Sequence, residues 1–159
     1  MTREKLGTLI LESERQLYAT AKTILFHDED CADAIQETIV KAFSKIETLR
    51  NDKYVKTWLM RILINECYTI LRTAGKTVLL EEPYEKTSME IEDMVDYSDL
   101  YKAVNSLKEE LRLPVILYYA EGFQIREISR ILEITEGAVQ KRLARARMKL
   151  RNSLSESEE

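Results

Sequence analysis

Six basic side chains crowd one short stretch near the end of the sequence: Lys141, Arg142, Arg145, Arg147, Lys149 and Arg151, with no acid anywhere from 137 to 155. The chain as a whole carries a formal net charge of −4. Such a stretch is therefore a local footprint for a polyanion, and the overall charge gives no hint of it. Lysine and arginine can donate charge-assisted hydrogen bonds to phosphate oxygens, and arginine, lysine and glutamine can pair with base edges in a major groove. A solvated basic helix is the plain alternative. The residues ahead of the stretch weigh against it.

Side chains that read a groove must be held on a rod set at a defined depth. The segment 122–151 reads GFQIREISRILEITEGAVQKRLARARMKLR. Ile125, Ile128 and Leu132 predict one apolar helical face, Glu133 and Ile134 a short turn, and Thr135 a cap for the next helix, with Glu136 favourable in its first turn. Val139, Leu143, Ala146 and Leu150 then recur at four, three and four, a narrow buried stripe. A short helix, a tight turn and a longer basic helix make a helix-turn-helix. Opposite the stripe lie Gly137, Lys141, Ala144 and Met148, flanked by Gln140 and Arg145. The small residues would let the helix sit deep, while Gln140, Lys141 and Arg145 reach base edges or phosphates. Arg142, Arg147, Lys149 and Arg151 suit phosphates or acids of this protein.

The rest of the chain predicts an all-α protein of two small helical domains. Of 159 residues, 45% are hydrophobic and 33% charged, and only four glycines and two prolines are available for turns. Helical periodicity appears over 4–26, from 28 through about 46, and over 55–71, then again over 100–107, 108–120, 124–132 and 136–152. Asp28 and Asp30 are candidate caps of the second helix, whose apolar face reads Ala32, Ile35, Ile39, Ala42, Phe43 and Ile46. Between the halves, 73–96 holds seven acids against Lys76 and Lys86 and has no long apolar face, the pattern of an acidic linker. The expected division is 1–72, linker 73–96, and 97–159. Cys31 and Cys67 are too few for a disulfide framework, the N-terminal segment is broken by Glu12 and Glu14 where a signal peptide would be apolar, and no run approaches the ~20 apolar residues of a membrane span. A cytoplasmic protein is expected.

The run 121–151 resembles the promoter-reading region four of extracytoplasmic-function RNA polymerase sigma factors, through Glu121-Gly122, Glu127-Ile128, Gly137, Val139 and the Arg-Ala-Arg at 145–147. The first half is similar to region two of the same family: Asp-Ala-Ile-Gln-Glu at 33–37, Lys-Ala-Phe at 41–43, and Trp-Leu-x-Arg-Ile-x-x-Asn from Trp58 to Asn65. Two matching blocks in the right order cover nearly the whole chain.

The resemblance implies roles. The helix carrying Asp33, Gln36, Glu37 and Lys41 would dock on the coiled coil of the polymerase β′ subunit, and the β flap is a further implied contact on the polymerase. The connection at 49–54, with Arg50, Asn51, Asp52 and Lys53, would capture a base flipped out of the minus-ten element, with Arg61 and Asn65 on the adjoining helix. Flipping costs a few kcal/mol, recovered by hydrogen bonds to the exposed base edge. Gln140, Lys141, Arg142, Ala144, Arg145 and Lys149 would meet the upstream element. Core polymerase, promoter DNA and an anti-sigma factor, commonly membrane-anchored, are the implied partners.

Three departures from the family pattern stand out. Gln124 replaces the usual Ser or Thr and is a weaker helix cap, Ser129 replaces an Ala, and Lys108 stands where Pro is typical. Trp58 reads as core packing. A repressor with a sensor domain would share the helix-turn-helix but would not explain 33–37 or 58–65. Neither catalysis nor a cofactor is expected: there is no phosphate-cradling glycine loop, His27 and Cys31 have no further ligands around them, and His27, the sole histidine, has no recognisable nucleophile partner.

Overall fold

The computed structural model describes residues 1–77 and 98–157. The described residues form helices joined by short connections, with α1 (Arg3–Glu12), α2 (Glu14–Leu25), α3 (Asp28–Ser44) and α4 (Val55–Thr77) in the first half. The second half holds α5 (Ser98–Ser106), α6 (Glu109–Val115), α7 (Ile125–Leu132) and α8 (Glu136–Ser157). The expected linker lies largely outside the described residues; its first part, to Thr77, continues α4.

The first expected helix is two. It breaks at Ser13, which is buried and whose backbone N–H reaches back to Leu9 and Ile10, so α2 can turn away from α1. The predicted cap at Asp28 is also corrected. His27 holds the cap position, and Asp28 instead accepts from the Tyr18 hydroxyl and from Lys22, 2.6 Å away, tying α2 to α3. Lys22 and then the Tyr18 hydroxyl hold the Asp28 carboxyl below its usual range, and the same hydrogen bond pushes Tyr18 up to about 12. Asp28, Glu29 and Asp30 still fill the first turn, where the helix dipole favours acids.

On α3 the buried stripe is Cys31, Ala34, Thr38 and Ala42, one position off the expected face. Ala32 is exposed, and Ile35, Ile39 and Phe43 pack only at the margin. Thr38 tolerates burial because its hydroxyl donates to the Ala34 carbonyl at 2.7 Å. The rotation has a consequence: Asp33, Gln36 and Glu37 all face outward. Cys31 and Cys67 are buried free thiols, and burial pushes Cys67 up to about 12.

In the second half, α6 passes through Pro114 and then widens into a π turn, Ile116–Ala120. The proline, which has no N–H to offer the Glu110 carbonyl one turn earlier, interrupts the regular hydrogen-bond ladder just ahead of this widening. Gly122 ends the turn at φ 76, a conformation its missing Cβ permits. The two halves are joined directly. α4 packs against α7 and α2 against α6, and buried apolar residues of both halves form one continuous cluster that includes Leu63, Ile64, Leu113 and Ile131. No described helix is long and apolar enough to cross a membrane.

Candidate nucleic-acid interface

The helix-turn-helix is built as the periodicity predicts, with one shift. Ile128 and Ile131 are the buried residues of α7, while Ile125 and Leu132 pack at its margin. Val139, Leu143 and Ala146 of α8 are fully buried, with Leu150 partly so. Glu133 takes the left-handed conformation at φ 58 that closes the turn. Thr135 caps α8 by accepting from the Ala138 N–H at 3.0 Å. Two departures acquire a physical role. Gln124 starts α7 with its backbone N–H donating to the Glu127 carboxylate at 2.9 Å, so Glu127 supplies help that a glutamine cap lacks. The Ser129 hydroxyl donates to the Ile134 carbonyl at 2.7 Å and pins the turn from inside.

Along α8, Gln140, Lys141, Ala144, Arg145 and Lys149 are exposed, together with Gly137 and Met148. Arg142 is different. It is half-buried and lines a cavity of about 350 Å³ between the halves with Asn65, Tyr68, Glu109 and Glu110. Arg147 also turns inward along the surface, its Nε donating to the Tyr119 hydroxyl at 2.6 Å.

The connection at 49–54 is a compact polar corner. The Asn51 side chain accepts from the Lys53 N–H at 3.0 Å, the turn Asp52–Tyr54 follows, and Asp52 pairs with the terminal ammonium of Met1 at 3.1 Å. Arg50, Asn51, Asp52 and Lys53 are all exposed. Arg50, Asn51, Tyr54, Trp58 and Arg61 line a cavity of about 360 Å³, within the range of small-ligand pockets. Asn65 does not join them; it lies one turn further along α4 and opens into the neighbouring cavity. Trp58 is half-buried, packed against the core and lining the pocket at once.

The pocket also holds a residue that the sequence did not point to. Arg130 of α7 lines it, its guanidinium carbon 5.2 Å from the centre of the Tyr54 ring. Only the packing of α7 on α4 brings it there.

On α3, Asp33, Gln36 and Glu37 form the exposed face, and a groove of about 630 Å³ runs beside it past Gln36, Ile35 and Tyr18. Lys41 is turned aside: it pairs with Glu66 of α4, whose side chain is 8% exposed. That carboxylate raises the Lys41 ammonium above its usual range.

Sigma-70 region 2 matches residues 9–77 and Sigma-70 region 4 matches residues 97–150. The chain is 30% identical over 158 residues to the RNA polymerase sigma factor SigV of Bacillus subtilis, covering 99% of this chain and 95% of that protein. It is 32% identical over 146 residues to the ECF RNA polymerase sigma factor SigM of Mycobacterium tuberculosis, covering 89% of this chain and 73% of that one. Among solved structures it is similar to the sigma factor RpoE of Bartonella quintana in complex with the anti-sigma factor NepR, at a TM-score of 0.76 and 26% identity over 96% of this chain and 98% of that one. It shares the fold of CnrH in complex with the cytosolic domain of CnrY, at a TM-score of 0.73 and 21% identity over 97% and 90%. With both matched regions in order and a relative aligned end to end, the chain belongs to the sigma-70 family, as an RNA polymerase sigma factor of the extracytoplasmic-function type that directs transcription initiation at promoters.

Proposed function

We propose that residues 97–159 read the upstream promoter element and residues 1–72 dock on core polymerase and grip the minus-ten element, with 73–96 as the connection. The observation that carries the first assignment is the exposed face of α8. Gln140, Lys141, Ala144 and Arg145 stand free of acids behind a capped, pinned turn, so groove readers sit on a rigid element. Lys149 serves as a phosphate contact, and Arg142 joins it only if it leaves the acids of the inter-half cavity.

For the minus-ten element, Arg50, Asn51, Asp52 and Lys53 offer donors and acceptors around a pocket floored by Trp58, with Arg61 at its rim and Asn65 a turn beyond. Asp33, Gln36 and Glu37 form the polymerase-docking face. Lys41 supports that face through Glu66. The anti-sigma factor NepR bound to RpoE supports an anti-sigma partner for this chain, membrane-anchored as the family commonly has it. The protein acts by binding, without catalysing a reaction, in the cytoplasm.

The test is transcription in vitro with purified core polymerase on genomic fragments, with start sites mapped. Asn51→Ala, Asp52→Ala and Asn65→Ala together should leave core binding intact and lower permanganate reactivity of unpaired thymines at the mapped promoter. Undiminished reactivity removes this loop from the melting step.

A further inference from the structure

Tyr119 lies in the π turn Ile116–Ala120 and is 58% exposed, while Leu117 of the same turn is fully buried. Widened turns of this kind are frequent at functional sites. The exposed ring is nevertheless braced from two sides. Tyr118, itself packed against the apolar core, meets it edge to face at 4.9 Å, and Arg147 of α8 donates from Nε to its hydroxyl at 2.6 Å. The guanidinium carbon stands 5.7 Å from the ring centre, at the outer limit of a cation–π contact, so the hydrogen bond is what fixes the pair.

That bond leaves donors unused. A guanidinium has five N–H groups and one is spent on Tyr119, while the Tyr119 hydroxyl accepts and still has its own proton to give. Among the described residues no carboxylate pairs with Arg147, and the segment 137–155 contains none. Position on α8 decides what those donors can meet. Arg147 follows Gln140 by seven residues, two helical turns and about 10 Å further along the same edge of the groove-facing side. Lys141, Arg145 and Lys149, spaced by four, form the other edge. A helix lying in a major groove has a phosphate ridge on each side, one from each strand.

We propose that Tyr119 and Arg147 form a phosphate clamp: the Tyr119 O–H and the Arg147 Nη donors hold one backbone phosphate of the upstream element, on the strand opposite the one that Lys149 meets. The proposal rests on the reading of α8 as the groove helix and adds to it a residue from the π turn, outside the helix-turn-helix. Tyr119 gives one hydrogen bond of its own and also holds Arg147 in place, so less side-chain freedom is lost on binding.

The test uses holoenzyme reconstituted from the full chain and core polymerase, on a promoter duplex located by start-site mapping. Single methylphosphonates, each neutralising one phosphate, are placed in turn along both strands of the upstream element. Tyr119→Phe removes only a hydroxyl, so the free chain should melt at the wild-type temperature. Tyr119→Phe and Arg147→Ala should each bind about three- to tenfold more weakly, the worth of one exposed hydrogen bond. Only Arg147→Ala should reduce the salt slope, by about one. One methylphosphonate should cost the wild type at least as much, cost Tyr119→Phe less and cost Arg147→Ala nothing further. It should lie on the strand opposite the position that Lys149→Ala silences, and the same strand for both overturns the clamp. Wild-type affinity of Tyr119→Phe also overturns it, as does a loss that adds in full to every methylphosphonate and so marks Tyr119 as structural only. Lys141→Ala and Arg145→Ala, measured alongside, keep the two readings apart. If they too bind like wild type, the groove reading of α8 falls; if they weaken binding while Tyr119→Phe does not, the clamp alone falls.

Discussion

Arg112 donates two hydrogen bonds to the carbonyl oxygen of Thr23, 3.1 Å from Nε and 2.8 Å from Nη2, although the two residues lie 89 positions apart. Thr23 sits in the last turn of α2, where helix carbonyls lack intrahelical partners and the dipole favours a cation. The same guanidinium donates to the carbonyls of Leu107 and Asn105, and its carbon stands 4.8 Å from the centre of the Phe26 ring. Burial lowers the Arg112 pKa, and nearby Glu109 and Tyr68 oppose that pull. One buried cation thus fastens the second half to the end of a helix in the first.

Removing that fastener should be costly. Arg112→Ala strands buried carbonyls on both halves, and a loss of about 2–4 kcal/mol is expected in urea denaturation. Arg112→Lys should recover only part of it, because an ammonium cannot offer the forked pair of donors. Equal stability of Arg112→Lys and the wild type would show that charge alone is at work.

A second contact between the halves depends on pH. The Thr20 hydroxyl, on α2, donates to Glu121 at 2.5 Å, while the other Glu121 oxygen is buried without a partner. Burial pushes the Glu121 carboxyl from its ordinary 4.5 up to about 7, with the Thr20 hydrogen bond opposing. The folded protein therefore holds this proton more tightly than the unfolded chain. The resulting stability is complete below about pH 4.5 and is lost as pH rises through about 7. Glu121→Gln should flatten the difference in stability between about pH 6 and about pH 8. An undiminished slope in that variant would assign it to another group.

For the upstream element, Lys141→Ala and Arg145→Ala should each weaken promoter binding by about 1–3 kcal/mol where a bidentate base contact is lost. Lys149→Ala should weaken all sequences alike and reduce the salt slope by about one. Arg142→Ala should affect DNA binding least of the four, since its side chain lies among Asn65, Tyr68 and Glu109. Titrations at two salt concentrations check the ranking.

On α3 the docking face and its support separate cleanly. Glu37→Lys should abolish pull-down with core polymerase at unchanged melting temperature. Lys41→Ala should instead destabilise the fold by the ~1–3 kcal/mol expected for a buried Glu66 left without its partner, read as a lower melting temperature. Loss of core binding in Lys41→Ala at full stability would return Lys41 to the docking face.

The helix-turn-helix was legible because its signals are local. Thr135 caps α8 directly after the turn, and the 139–143–146 stripe declares its own buried side. The α3 face was misread by one position because Ile35 and Ile39 outrank Cys31 and Thr38 in hydrophobicity. Only the presence of α2 and α4 on either side shows which stripe is enclosed. Lys41, Arg61 and Arg142 are alike in another way. Each reads as a free ligand-facing cation, yet each meets an acid or acid-lined cavity contributed by a distant helix. No spacing rule along one helix can reveal a partner 25 or 72 residues away. The Arg130 contact was hidden for the same reason, since it exists only once the halves are joined.

The continuous apolar cluster across the two halves has a thermal consequence. Contacts driven by removing apolar surface from water weaken on cooling, whereas the hydrogen bonds of Arg112 carry no such dependence. Joined by both, the halves hold least tightly through their apolar seam when cold. Chilling shifts the balance toward separation, and each release must wet Leu63, Ile64, Leu113 and Ile131. That wetting carries a positive heat-capacity change. The seam therefore makes the joining of the two halves a function of temperature.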